Sequence, residues 1–260
     1  MFLRTAFLGL TFVFWLLYDY FSGDTMKILA VDTTAVAASC AVVEDSKLIC
    51  ESFVNVKLKH SQTLMPMVRD MLKCSDLDIS DIDAFAVNVG PGSFTGVRIG
   101  VSAVKGMAFF GDRPCIPVSS LHSLSLNLTS AEGAIICPVM DARCSQVYNA
   151  IFEIKNGKSV RLCDDRAVSI DFLLSDLEKI KKKRIFLVGD GAQMCYNIMK
   201  SKLQNVNMAP FTLLYQRASS VASAAEGLYA DGKAVKNGQL VPFYLRPSQA
   251  ERNLKFKNKE

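Results

Sequence analysis

The sequence predicts an α/β protein of two related lobes, and three observations carry that expectation. Each half of the chain opens with a short apolar strand that ends in aspartate, at residues 27–32 and 134–141. Each half then alternates through a hairpin, with Glu44-Asp45-Ser46-Lys47 and Lys155-Asn156-Gly157-Lys158 as the turns. Each later runs from an apolar strand through a Gly-rich turn into a helix. No residue-level repeat accompanies this matched order. The relation therefore lies in the sequence of elements, with a lobe boundary expected near residues 119–133.

In the first half, residues 27–32 read as a buried strand and residues 37–43 and 48–56 as the next two. Residues 60–73 form an amphipathic helix with Leu64, Met67, Val68, Met71 and Leu72 on one face. Ser80-Asp81 precedes a buried strand at 84–89. Gly90, Pro91 and Gly92 then force a structural turn. Thr95 is a fair N-cap for a helix over 97–110. Ile116-Pro117-Val118 is a short strand, and Ser119-Ser120 caps a helix from Leu121. In the second half, strands are expected at 134–141, 147–154 and 184–188. Helices are expected at 170–181, capped by Ser169 or Asp171, and at 219–229.

The chain has 260 residues, half of them hydrophobic, which suffices for two modest cores. Net charge is +5, with basic residues mostly dispersed. Lys181-Lys182-Lys183-Arg184 and the tail 252–259 are local exceptions. They either touch RNA or an acidic partner, or are solvated faces. Eight cysteines occur without a Cys-x-x-Cys pair, and Cys40, Cys115 and Cys137 sit in apolar runs. This points to reduced thiols in a cytoplasmic protein. Residues 5–18 are nearly all apolar, but Asp19 cuts the run below the roughly 20 residues a membrane span wants. Met26 opens a self-sufficient strand. Residues 1–25 are therefore expected to be a non-native extension, with a leader or anchor as the alternative.

The Gly90–Gly96 turn exposes backbone N–H groups at a helix start, which suits an anion, and equally suits close backbone packing. Gly90, Gly92 and Gly96 miss the Gly-x-Gly-x-x-Gly spacing by one, and no Walker lysine follows. Asp32 with Thr33 and Thr34 either holds Mg²⁺ and a phosphate or caps its own turn. Asp141 repeats the strand-end carboxylate, and either faces Asp32 across a cleft or orders the lobe interface with Arg143. Gly189 and Gly191 either approach an adenosine or make a tight strand-to-helix turn. His60 and His122 have no metal-ligand spacing between them. Gly96, Gly100, Ala103 and Gly106 place small residues along one helix, beside Val97, Val101 and Val104. Together with Leu64, Met67 and Met71 they make either an apolar partner face or packing within the lobe.

These residues together resemble the TsaB (YeaZ) family of tRNA threonylcarbamoyladenosine biosynthesis proteins. The matching strings are Ile28-Leu29-Ala30-Val31-Asp32-Thr33-Thr34, His60-Ser61 with Leu64-Met65-Pro66, and Gly90-Pro91-Gly92-Ser93-Phe94-Thr95-Gly96-Val97-Arg98-Ile99-Gly100. Val118-Ser119-Ser120-Leu121, Asp141-Ala142-Arg143 and Tyr244-Leu245-Arg246 also match. The resemblance spans residues 26–247. It implies an actin/Hsp70-like (ASKHA) fold of two RNase H-like lobes, at 26–120 and 121–247, with 248–260 as a basic tail. It also implies a non-catalytic partner of TsaD, joined by the ATPase TsaE, in forming N6-threonylcarbamoyladenosine at position 37 of tRNAs reading ANN codons. TsaD or a second TsaB would pair with the helices that carry Leu64, Met67, Met71, Val97, Gly100, Val101 and Val104. No cofactor is required on this reading. Asp32, Thr33, Asp141, Gly189 and Gly191 would be a vestigial nucleotide site of weak affinity, and tRNA a substrate of the complex, with no membrane involved. The alternative is an ATP/Mg-dependent enzyme of the same fold acting alone. M22 glycoprotease-like chemistry has no metal ligands to support it.

Overall fold

The computed structural model describes residues 25–56, 59–180 and 182–247. The expectations for residues 1–24 and for the tail 248–260 lie outside the described residues. Two five-stranded sheets organise the chain. In the first, β1 (Lys27–Asp32), β2 (Ala38–Glu44) and β3 (Lys47–Val54) form an antiparallel meander, and β4 (Ala84–Gly90) and β5 (Cys115–Ser119) join parallel to β1. The strand order is β3-β2-β1-β4-β5. The second sheet repeats it as β8-β7-β6-β9-β10, from β6 (Ile135–Asp141), β7 (Gln146–Lys155), β8 (Lys158–Ser169), β9 (Ile185–Val188) and β10 (Val206–Met208). This is an RNase H-like lobe used twice, the actin/Hsp70-like arrangement.

Both hairpins turn where the sequence places them. Asp45 and Ser46 have φ of 45° and 63°, and Asn156 and Gly157 have φ of 52° and 69°. Paired positive φ values are what a two-residue loop needs to match the twist of its strands. β8 and β10 go beyond the sequence reading. β8 is an edge strand whose Arg161, Asp164, Asp165 and Arg166 interrupt apolar alternation. β10 has three residues, too few to show a period.

Helix α1 (His60–Cys74) and α2 (Phe94–Phe109) cover one face of the first sheet. Ser93, rather than Thr95, caps α2, its hydroxyl accepting the Gly96 N–H at 3.3 Å. Helix α3 (Ser120–Leu126) is capped by Ser119, as expected. In the second lobe, α4 (Ile170–Leu177) is capped by Ser169 and stops short of the predicted end, and α5 (Ala192–Met199) follows β9.

Chain order and packing part company at α6 (Ala218–Ala230). It follows the second sheet in sequence but covers the other face of the first. Ala218, Val221, Ala222 and Ala225 pack on Ile28, Ala30, Ala41, Ala84 and Ala86. The alternation of β4 sorts these faces: Ala84 and Ala86 point to α6, Phe85 and Val87 to α1 and α2. Small residues on both sides let an alanine-rich helix lie close. Glu51 of β3 supplies the missing cap for α6, accepting from Ser219 N–H at 3.1 Å and pairing with Arg217 at 2.5 Å. Last, residues 236–247 strap back across the first lobe. Phe243 N–H donates to Val89 O at 2.7 Å, and Arg246 reaches Ala142 O in the second lobe at 3.0 Å.

Candidate functional site

Two features stand out: a cleft between the lobes and the outer face of α1 and α2. The cleft, of about 580 Å³, lies between Thr34, Ser93 and Thr95 on one side and Asp141, Arg143, Tyr148, Asp190 and Arg246 on the other. Asp32 is not part of its lining. Its Oδ1 accepts from the Thr34 N–H and hydroxyl at 2.7 and 2.8 Å, and its Oδ2 accepts from Asn88 Nδ2. Asn88 in turn donates to Ser123 of α3 at 2.8 Å. Burial raises the Asp32 carboxyl above its ordinary value, against these hydrogen bonds. Of the two readings of Asp32, the structure shows the one in which it caps its own turn, and the alternative in which Asp141 faces it across the cleft does not hold. Asp32 is a buried knot joining β1, β4 and α3, and both of its oxygens are engaged.

Thr33 is also turned inward, its hydroxyl donating to Gly96 O at 2.7 Å. Asp141 does line the cleft, where it accepts the Arg143 N–H at 2.7 Å and pairs with the Arg143 guanidinium at 3.3 Å. Four of the backbone donors around the cleft are bonded within the protein. Thr34 N–H goes to Asp32, Ser93 N–H to Thr34 O at 2.7 Å, Gly189 N–H to Leu214 O at 2.7 Å, and Gly191 N–H to Val139 O at 3.1 Å. The glycines of the first turn serve backbone approach. Gly90 has φ of 126°, and a Cβ there would overlap Phe243 O of the strap. Pro91 follows it through a cis bond, and Gly92 lies against Thr34 O.

Asp190 is the cleft residue that sequence reading passed over. Its Oδ1 is buried with no hydrogen-bond partner among the described residues. Burial, with Asp141 nearby, pushes its carboxyl up to about 6. A carboxyl raised in the folded state binds its proton more tightly there than in the unfolded chain. Its contribution to stability is thus lost as pH rises from about 4 through about 6. Asp190→Asn is expected to stabilise the protein by on the order of 1–2 kcal/mol at pH 8 and to have little effect at pH 4. Denaturant titrations at the two pH values check this, and an equal change at both would refute it.

On the outer face, most of the residues expected to meet a partner are turned into the lobe. Leu64, Met71, Val97, Gly100, Val101 and Val104 are buried in the first core, and only Met67 is partly exposed. Gly100 lies against Thr33 Oγ1, where an added Cβ would sit at 2.7 Å. The small-residue stripe therefore serves contact with the β1–β2 connection, except at Gly106, which meets nothing. What α2 does show to solvent is Phe109, 80% exposed, and Phe110 just after it, 86% exposed. A groove of about 690 Å³ lies between α1 and the connection at residues 76–81, lined by Met65, Leu72, Ile79 and, from α2, Met107. In sequence, Phe109-Phe110 before Gly111-Asp112 marks a helix end with two adjacent aromatics, but nothing there tells which way they face.

His60 begins α1 and its Nε2 lies 2.7 Å from Ala35 O, whereas His122 stacks on Phe152 at 5.8 Å. Among the described residues no three His, Cys, Asp or Glu side chains gather to hold a metal. The eight cysteines are free thiols. No helix among the described residues is long and apolar enough to cross a membrane.

Residues 54–254 match the family model described as TsaD: tRNA N6-adenosine threonylcarbamoyltransferase. The tRNA threonylcarbamoyladenosine biosynthesis protein TsaB of Bacillus subtilis is 32% identical over 234 residues, 87% of this chain and 96% of that protein. TsaB of Escherichia coli is 30% identical over 230 residues, 88% of this chain and 98% of that protein. The solved structure of YeaZ from Pseudomonas aeruginosa superposes with a TM-score of 0.70 at 27% identity, covering 85% of this chain and all of that one.

Proposed function

Because the chain belongs to the TsaB (YeaZ) family, we propose that it acts in tRNA threonylcarbamoyladenosine formation as a non-catalytic subunit that docks on TsaD and supports it. The product is N6-threonylcarbamoyladenosine at position 37 of tRNAs reading ANN codons, and the site of work is the cytoplasm. TsaE joins the pair. One observation carries the docking reading: Phe109 and Phe110 stand in solvent at the end of α2. Adjacent bulky aromatics left that exposed are typical of the anchors that fill a partner's pocket. The residues that serve are thus Met65, Phe109 and Phe110, in place of the buried valines.

The same reading needs no cofactor. Its support is that Asp32 is consumed inside the lobe and that the N–H groups of Thr34, Ser93, Gly189 and Gly191 are bonded within the protein. The competing view, an ATP/Mg-dependent enzyme acting alone, would need those groups free. Titration calorimetry of the full chain with millimolar ATP and Mg²⁺ separates the two. A saturable isotherm abolished by Asp32→Ala would favour the enzyme.

Size-exclusion chromatography with light scattering tests the docking. The full chain mixed with TsaD of the same organism is expected to form a stable complex. The double variant Phe109→Asp/Phe110→Asp is expected to bind at least about 100-fold more weakly, with an unchanged melting temperature. Failure of the wild-type chain to associate, with TsaE and ATP also present, would overturn the proposal. Undiminished binding of the double variant would remove Phe109 and Phe110 from the interface.

A further inference from the structure

The second lobe gathers cations at the end of its sheet away from the cleft. β7 runs antiparallel to β6, and β9 and β10 run parallel to it. The β7–β8 turn and the connections entering β9 and β10 therefore meet at the edge where β6 begins. Asp141, which lines the cleft, is at the other end of β6, roughly 20 Å away at the rise of a strand. The side chains tie these connections together. Asn205 Nδ2 donates to Ile180 O at 2.9 Å and Lys183 O at 2.8 Å, and Ile135 N–H donates to Arg184 O at 2.8 Å.

Each connection brings exposed bases. Lys155 and Lys158 flank the β7–β8 turn, Lys182 and Arg184 enter β9, and Lys200 and Lys202 precede β10. The carboxylates there are mostly spent. Glu153 holds Lys155 at 3.2 Å and also Lys183, and Glu132 accepts the N–H groups of Asn156 and Gly157 at 2.9 and 3.1 Å. Glu178 remains exposed beside Lys202. Lys158, Lys182, Arg184, Lys200 and Lys202 have no acidic partner within 4.0 Å among the described residues.

We infer that this edge of the second lobe is a binding surface for the phosphate backbone of RNA. Flexible lysines set around a lobe end suit a ribose-phosphate chain, which carries one negative charge per nucleotide and needs no base-specific pocket to be held. The choice of tRNA as the RNA rests on the function proposed above. The surface is on the second lobe, apart from the α1–α2 face, so both can be engaged at once.

The full chain is titrated with unmodified tRNA by fluorescence anisotropy between 50 and 300 mM KCl. Its affinity is expected to fall with a log–log slope of about −3 to −5, the slope of four or five released counterions. Lys158→Glu/Lys182→Glu/Lys200→Glu/Lys202→Glu is expected to bind at least tenfold more weakly at 50 mM KCl and to lose most of that slope. These four side chains are exposed and unpaired, so the variant should melt no lower than the wild type. No tRNA binding by the wild type, or equal binding by the variant, would overturn the inference. Poly-glutamate competing as well as tRNA would also overturn it, assigning the edge to an acidic polypeptide. Association of the variant with TsaD, measured alongside, separates loss of this surface from loss of the docking one.

Discussion

Val104→Glu is expected to unfold the first lobe rather than to disturb an interface. Val104 is fully buried between α2 and the sheet, in a core with Leu29, Phe85 and Val68. A carboxylate placed there has no cation or donor set to meet it, and a buried, unpaired charge costs several kcal/mol. Against a typical total stability of about 5–15 kcal/mol, that removes most or all of the folded population. Circular dichroism of the full chain should show loss of the cooperative melt, while Phe110→Asp melts as the wild type does. A Val104→Glu protein melting within a few degrees of the wild type would mean that this face of α2 opens to solvent. The contrast matters for any docking experiment, because loss of association through Val104 would report loss of the lobe.

Gly96→Ala is expected to cost about 3 kcal/mol, the upper end of what overpacking usually does. An added Cβ would overlap the carbonyl oxygen of Thr33, whose hydroxyl is itself bonded to Gly96 O. The obstacle is backbone, held by the Asp32 knot, so it cannot step aside as a flexible side chain would. Gly106→Ala, ten residues along the same helix, meets nothing and should stabilise by roughly 0.5–1 kcal/mol through helix propensity. Urea titrations of the two variants give opposite signs on this account. Equal destabilisation by both would mean that the glycines matter only as helix breakers.

The surroundings of these glycines show how far the sequence was legible. Strand alternation, the paired-turn residues and the Ser119 cap depend on neighbours in the chain, and those expectations match the structure. The position of Asp32 at a strand end was equally visible. Its partner Asn88 is 56 residues away on a strand, and no local pattern announces that pairing. The stripe Gly96–Gly100 with its valines was read from composition as small and apolar, which fits a core and a partner face alike. Burial, a property of the whole fold, decides between them. Phe109 and Phe110 were hidden for the converse reason: their type suggests a core, and only the end of the helix puts them outside. β8 escaped because an edge strand can carry charge where a central one cannot.

The position of α6 has a consequence for how the molecule is made. As the chain is synthesised, the first sheet is complete at Ser119, yet the helix that covers its alanine face begins roughly a hundred residues later, at Ala218. Until then Ile28, Ala30, Ala41 and Ala86 have water where their packing partners belong. The first lobe is thus finished last, after the second sheet has been laid down. A gene cut between the lobes would therefore yield a front fragment lacking its own closing helix. Any recombination that exchanges the first lobe with a relative's must carry residues 218–230 along with it.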